Sequence, residues 1–117
     1  MSWQKICELN DLVEHSGRTA LVKGKQVAVF YIPNEIPSVY VLDNWDPLGE
    51  AFVLSRGIIG DIQDELCVAS PLYKQHFALA DGRCLDAPGI AVKSWPVDVR
   101  GDEVWLKAES GNHYGLL

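Results

Sequence analysis

Short apolar runs rich in Val, Ile and aromatic residues alternate along the chain with Gly, Pro, Asn and Asp. That rhythm predicts many short strands joined by tight turns, and few helices. The strands expected from it are Trp3 to Cys7, Thr19 to Val22, Gln26 to Ile32, Val39 to Leu42, Ile58 to Ile62, Leu66 to Ala69, His76 to Leu79, Ile90 to Val99 and Glu103 to Lys107. Alternation within them places Val27, Val29, Tyr31, Val41, Ile59, Leu66, Val68, Phe77, Leu79, Val92, Val104 and Leu106 in the core. A register slip of one residue would turn any strand over.

Turn chemistry supports the assignment. Lys23-Gly24-Lys25, Asp81-Gly82 and Arg100-Gly101-Asp102 each set a glycine where a hairpin needs positive φ, which predicts three hairpins. Pro96 cannot donate to a ladder, so the run Ile90 to Val99 is either an edge strand with a bulge or two strands. One helical turn is expected near Asn10 to Glu14, capped by Asn10 or Asp11. There is no repeat, low-complexity tract or linker, and the pattern fades after Lys107. The expectation is an all-β antiparallel sandwich or barrel, one domain over residues 1–117, with 108–117 as a loosely held tail.

Composition narrows the function. At 117 residues and 48% hydrophobic, the chain has apolar surface for one core. A net charge of −6 opposes the phosphate contacts on which nucleic-acid affinity rests, so nucleic acid is excluded as a partner. The N-terminus lacks the apolar stretch of a secretory signal, and no window approaches the roughly 18 to 20 apolar residues of a membrane span. The chain reads as cytosolic. Cys7, Cys67 and Cys84 fit neither a disulfide framework nor a zinc site, and read as free buried thiols, a Cys67 to Cys84 contact being open.

No catalytic set emerges. His15, His76 and His113 are far apart and outside metal-binding spacings. Ser70 has no glycine elbow around it, and no Gly-rich loop opens a helix. Two loops stand out, D-N-W-D-P-L-G at 43–49 and S-P-L-Y-K-Q-H-F at 70–77, each following an expected strand. Asp43, Asn44 and Asp46 lack calcium-loop spacing, and side-chain bonds to the loop backbone are the expected use of such residues.

The order of features resembles a Rieske-type domain. In that family two loops, one C-x-H and one close to C-P-x-H-G, clamp a two-iron two-sulfur cluster. Here Val39 to Leu42 leads into Asn44-x-Asp46, and Leu66 to Ala69 leads into Ser70-Pro71-Leu72-Tyr73-Lys74. Phe77-Ala78-Leu79, Asp81-Gly82, Pro88 and Val104-Trp105-Leu106 follow, so the resemblance runs from about Trp3 to Lys107. Asn44 and Ser70 stand at the cysteine positions, and Asp46 and Tyr73 at the histidine positions. The cluster needs two thiolates and two imidazoles, so it is expected to be absent and the chain to bind no cofactor or metal of its own.

Within that family the stretches V-A-V-F-Y-I-P, V-L-D-N-W-D-P, V-L-S-R-G-I-I-G and V-A-S-P-L-Y-K-Q-H-F-A-L-A-D-G-R-C-L are similar to the small-subunit family of cytosolic NAD(P)H-dependent nitrite reductases. The resemblance implies a large-subunit partner that carries flavin (FAD), an iron-sulfur cluster and siroheme and reduces nitrite to ammonium in nitrate assimilation. It also implies that the two loops lie together at one tip where partners dock, with Trp45, Arg56, Tyr73, Lys74 and His76 as the expected contact residues. Alternatively Trp45 and Tyr73 fill the space the cluster vacated. Two other readings stand beside this one: a cluster-bearing electron carrier, and a free-standing binding module that uses the vacated site.

Overall fold

The apolar runs fold as antiparallel sheets in the computed structural model, which describes residues 2–108 and 114–117. The strands are β1 (Ser2–Glu8), β2 (Ser16–Val22), β3 (Lys25–Tyr31), β4 (Val39–Asp43), β5 (Trp45–Asp46), β6 (Ala51–Phe52), β7 (Ile58–Ile62), β8 (Glu65–Ala69), β9 (His76–Ala78), β10 (Ser94–Trp95), β11 (Val97–Arg100), β12 (Glu103–Ala108) and β13 (Gly115–Leu116). Among the described residues, helical structure is confined to two 3-10 turns, Leu9–Asp11 and Leu54–Arg56.

Strand β3 explains the layering. Val27, Ala28, Val29 and Phe30 are all buried, where alternation alone would expose every second one. Their side chains go to two different cores. Val27 and Val29 join Ala20, Val22, Val39, Val41, Ile6, Val104 and Leu106, whereas Ala28 and Phe30 join Leu42, Leu54, Val68, Phe77 and Leu79. The five-stranded sheet β10-β4-β3-β2-β13 is therefore covered on both faces, by β1-β12-β11 on one and by β7-β8-β9 on the other. A strand buried on both faces reads as a continuous apolar run. The expected core is buried with three shifts: Tyr31, Ile59 and Leu66 are only partly buried and pack at its margins.

The three glycine turns are all present. Gly82 is constrained the most: it takes φ +80°, and a Cβ there would lie 2.0 Å from the Val92 carbonyl oxygen. Pro96 marks the point where the chain leaves one sheet for another. The run Ile90 to Val99 is two strands, β10 at the edge of the central sheet and β11 at the edge of the β1 sheet, with residues 90–93 outside both. The N-terminal turn comes earlier than expected. It spans Leu9–Asp11, and Asp11 closes it from its last position by accepting a 2.9 Å hydrogen bond from the Glu8 amide.

Of the segment expected to be loose, Ala108 closes β12, and Gly115 and Leu116 pair with Leu21 and Ala20. Residues 109–113, His113 among them, lie outside the described residues. The cysteines are free and buried. Cys67 faces Ala78 of β9, while Cys84 bridges to Phe77 from the far side of that strand. Two strand spacings of about 4.8 Å each separate them, beyond the roughly 7 Å Cα limit for a disulfide. Burial pushes the Cys7 thiol up to about 11 and raises that of Cys67, which keeps both protonated and unreactive near neutral pH.

Candidate functional site

The first loop leaves the central sheet at the end of β4. Asn44 is buried, and its polar atoms are taken up by neighbours. Its amide donates to the Gln26 carbonyl at 3.2 Å, and its carbonyl accepts from Val53 and Leu54 at 3.0 and 3.1 Å. Its side-chain Oδ1 accepts from the Ser55 amide at 2.7 Å, while Nδ2 donates to Gln26 Oε1 at 3.2 Å. Asn44 thus ties β3, β4 and the Leu54–Arg56 turn together.

Asp46 is fully buried at the start of the β5–β6 hairpin. Its Oδ1 accepts from the amides of Leu48 and Gly49 at 2.8 and 3.0 Å, which folds the hairpin loop. Its Oδ2 accepts the hydroxyl proton of Ser70, the first residue of the second loop. A buried carboxylate is tolerated only when it is paired or hydrogen-bonded, and three donors meet that need here. The bond also fastens one loop to the other.

The second loop closes on itself. Ser70 donates its amide to the Gln75 carbonyl at 2.9 Å and accepts from the Lys74 amide at 3.0 Å, with Lys74 at φ 62°. Leu72 then lies on Gly49 of the first loop: a Cβ at Gly49 would come 2.5 Å from Leu72 Cδ1. A side chain there would have to push Leu72 aside and would crowd Asp46 Oδ2 at 2.9 Å.

The expected contact residues divide into three groups. Trp45 and Tyr73 sit on the joined loops and are exposed, by 39% and 65%, so neither fills an interior space. Lys74 is exposed beside Tyr73, and Arg56 is exposed at the end of a turn held to Asn44 through Val53 and Leu54. His76 lies at the start of β9 and is engaged, its Nδ1 2.8 Å from Asp86 Oδ2 and its amide donating to the same oxygen at 2.7 Å. These bonds from His76 hold the Asp86 carboxyl below its ordinary range. Sequence reasoning missed Phe52 and Leu72, which are 50% and 46% exposed on the same loops. Phe52 meets Trp45 edge to face with ring centroids 4.9 Å apart. Lone apolar residues in polar loops give no signal of their partners, which is why they were missed.

The donor set at the four loop positions can be weighed against a Rieske cluster. At the positions where the sequence resemblance expects two thiolates and two imidazoles stand an amide, a carboxylate, a hydroxyl and a phenol, and hard oxygen donors do not match that cluster. Asn44, Asp46 and Ser70 are moreover committed to one another's loops by the bonds above, and Tyr73 points into solvent. These residues do not fit the group. Among the described residues no cluster of three or more His, Cys, Asp or Glu could hold a metal ion.

The profile of the Rieske-like 2Fe-2S domain family matches residues 2–107. The nitrite reductase (NADH) small subunit of Salmonella typhimurium is 44% identical over 105 residues, covering 90% of this chain and 96% of that protein. A crystal structure of a nitrite reductase NADPH small subunit superposes with a TM-score of 0.87 at 48% identity, covering 92% of this chain and 100% of that one. The nitrite reductase [NAD(P)H] large subunit of Klebsiella oxytoca is 44% identical over 104 residues, which are 89% of this chain but only 11% of that much longer protein.

Proposed function

The chain belongs to the Rieske-like 2Fe-2S domain family and, within it, to the small subunits of NAD(P)H-dependent nitrite reductase, and from that premise we propose that it is a non-catalytic subunit. Its role is to bind a large subunit that reduces nitrite to ammonium with NAD(P)H and to support that enzyme's assembly or stability. The Klebsiella relative supports the partnership, because a segment similar to this chain is there built into the large subunit itself. Covalent linkage raises the effective concentration of two parts that work together.

The observation that carries the non-catalytic reading is the joining of the two loops. Where a cluster-bearing member would present four ligands, Asp46 and Ser70 bond to each other and Asn44 bonds to the backbone of the next turn. We therefore assign the chain no cluster, metal or other cofactor, and leave flavin, siroheme and iron-sulfur chemistry to the large subunit. Three free, buried thiols agree with the reducing cytoplasm as its location, and no helix of the described residues is long and apolar enough to cross a membrane.

Affinity purification of the chain from its native host tests the reading. The large subunit should accompany it, and the isolated chain should be colourless and free of iron. Two irons per chain with a visible absorption band after anaerobic preparation would instead make it an electron carrier. Recovery of the chain without the large subunit would overturn the partnership.

A further inference from the structure

The chain carries ten Lys and Arg against sixteen Asp and Glu, yet three lysines converge on one surface. A cavity of about 270 Å³ is lined by Lys23, Lys25, Lys93, Trp95 and Tyr114, over an apolar floor that includes Val22. A second cavity, of about 550 Å³, lies between Lys25, Gln26, Asp43, Trp45 and Phe52. Lys25 belongs to both, so the basic surface runs directly into the exposed Trp45–Phe52 pair on the first loop.

Lys25 and Lys93 are both exposed. Lys93 Nζ lies 3.7 Å above the Trp95 ring, and the Trp95 indole nitrogen donates to Asp43 Oδ1 at 2.9 Å. Asp43 thus commits Oδ1 to the indole and fixes the ring under the ammonium. Lys25 is exposed and makes no ion pair with any described carboxylate. Backbone bonds from Asp43 to the Lys93 carbonyl and from Asn44 to the Gln26 carbonyl, at 2.9 and 3.2 Å, lock these strand ends to the loop that carries Trp45.

We propose that this surface receives an acidic segment of the large subunit, its carboxylates on Lys25 and Lys93 and an adjoining apolar side chain against the Trp45–Phe52 pair. The proposal rests on the subunit reading above and adds the chemistry of the partner's contacting segment. A chain of net charge −6 repels an acidic partner at long range, so such a segment can dock only where local cations outweigh that field. Charge pairs at an interface rim act chiefly through association rate and are screened within about 8 Å at physiological ionic strength.

The test is binding of purified large subunit to the wild-type chain and to its Lys25→Glu and Lys25→Glu/Lys93→Glu variants, at low salt and near 0.5 M salt. Because Lys25 pairs with no carboxylate among the described residues, Lys25→Glu should move Tm little. The expected result is a dissociation constant raised about threefold by the single change and tenfold or more by the double, with both differences shrinking at high salt. Lys25→Arg/Lys93→Arg should bind like the wild type. Unchanged affinity in the glutamate variants overturns the proposal, and tighter binding overturns it by showing a basic partner surface. If the variants instead break self-association of the chain and leave large-subunit binding intact, a second copy is the occupant and the proposal fails. Absence of binding by the wild-type chain would overturn the subunit reading itself, a result distinguishable from all of these.

Discussion

At the residue scale, the Asp46–Ser70 bond is the feature on which the two-loop arrangement depends. Asp46→Ala removes the acceptor of three donors and should cost about 2–3 kcal/mol, because the buried Ser70 hydroxyl loses its partner without regaining water and the Leu48 and Gly49 amides lose theirs in a half-buried place. Ser70→Ala should cost about 1–2 kcal/mol. Urea unfolding of both single variants and the double should give a coupling energy above about 1 kcal/mol; strict additivity would mean that the bond does not join the loops energetically. Asp86 offers a pH-dependent counterpart. Hydrogen bonds from His76 lower its carboxyl, so its contribution is present above the ordinary carboxylate range near pH 4 and is lost as pH falls through the lower folded value. The wild type should therefore exceed Asp86→Asn in Tm at pH 6, and the gap should close towards pH 3. The pair is largely solvated, so the gap is small.

At the element scale, strands and glycine turns were legible in the sequence because alternation and positive φ leave direct marks on residue choice. The β7–β8 turn left no such mark. Ile62 pairs with Glu65 across Gln63 and Asp64, which take φ 49° and 67° with no glycine between them. Two side-chain-bearing residues in the left-handed region are held there by the flanking ladder, against a cost of about 1 kcal/mol or more each. Gln63→Asn with Asp64→Gly supplies the residues that this hairpin geometry favours. Glycine's freedom in the unfolded chain offsets part of the gain, so a net stabilisation of about 0.5–1 kcal/mol is expected in thermal unfolding. A loss would mean that Gln63 or Asp64 makes a contact worth more than the strain. The burial of both faces of β3 was invisible for a different reason: V-A-V-F reads alike whether one layer or two will cover it. The short strands β5, β6 and β13 were missed because two residues cannot display a period. Of the candidate site, the two loops and their polar residues were legible; Phe52, Leu72 and the Asp86 partner of His76 were not, since long-range contacts of single residues are set by the fold.

At the scale of the whole molecule, two sheets cover the faces of the central one and leave the two joined loops exposed, with Trp45, Phe52, Leu72 and Tyr73 all on them. Exposed aromatic and large apolar residues gathered on polar loops mark contact sites more often than they mark chance. Trp, Tyr and Arg are also the residue types that most often anchor interfaces. We therefore expect these loops to meet the large subunit, and the single variants Trp45→Ala, Arg56→Ala and Lys74→Ala to show it. Trp45→Ala should weaken binding by about 2 kcal/mol, since it removes the larger half of the aromatic pair. Arg56→Ala and Lys74→Ala should each weaken it by about 0.5–1 kcal/mol, more at low salt than at high. None of the three side chains is buried, so Tm should move little in the isolated chain. Binding has to be measured beside Tm, because Trp45 also packs on Phe52 and a loosened hairpin would imitate a lost contact. If all three variants bind normally, or lose binding only together with the fold, the docking face lies elsewhere on the sandwich, and the outer face of the β1-β12-β11 sheet, with Arg100 over Trp105 and Trp3, is the next surface to substitute.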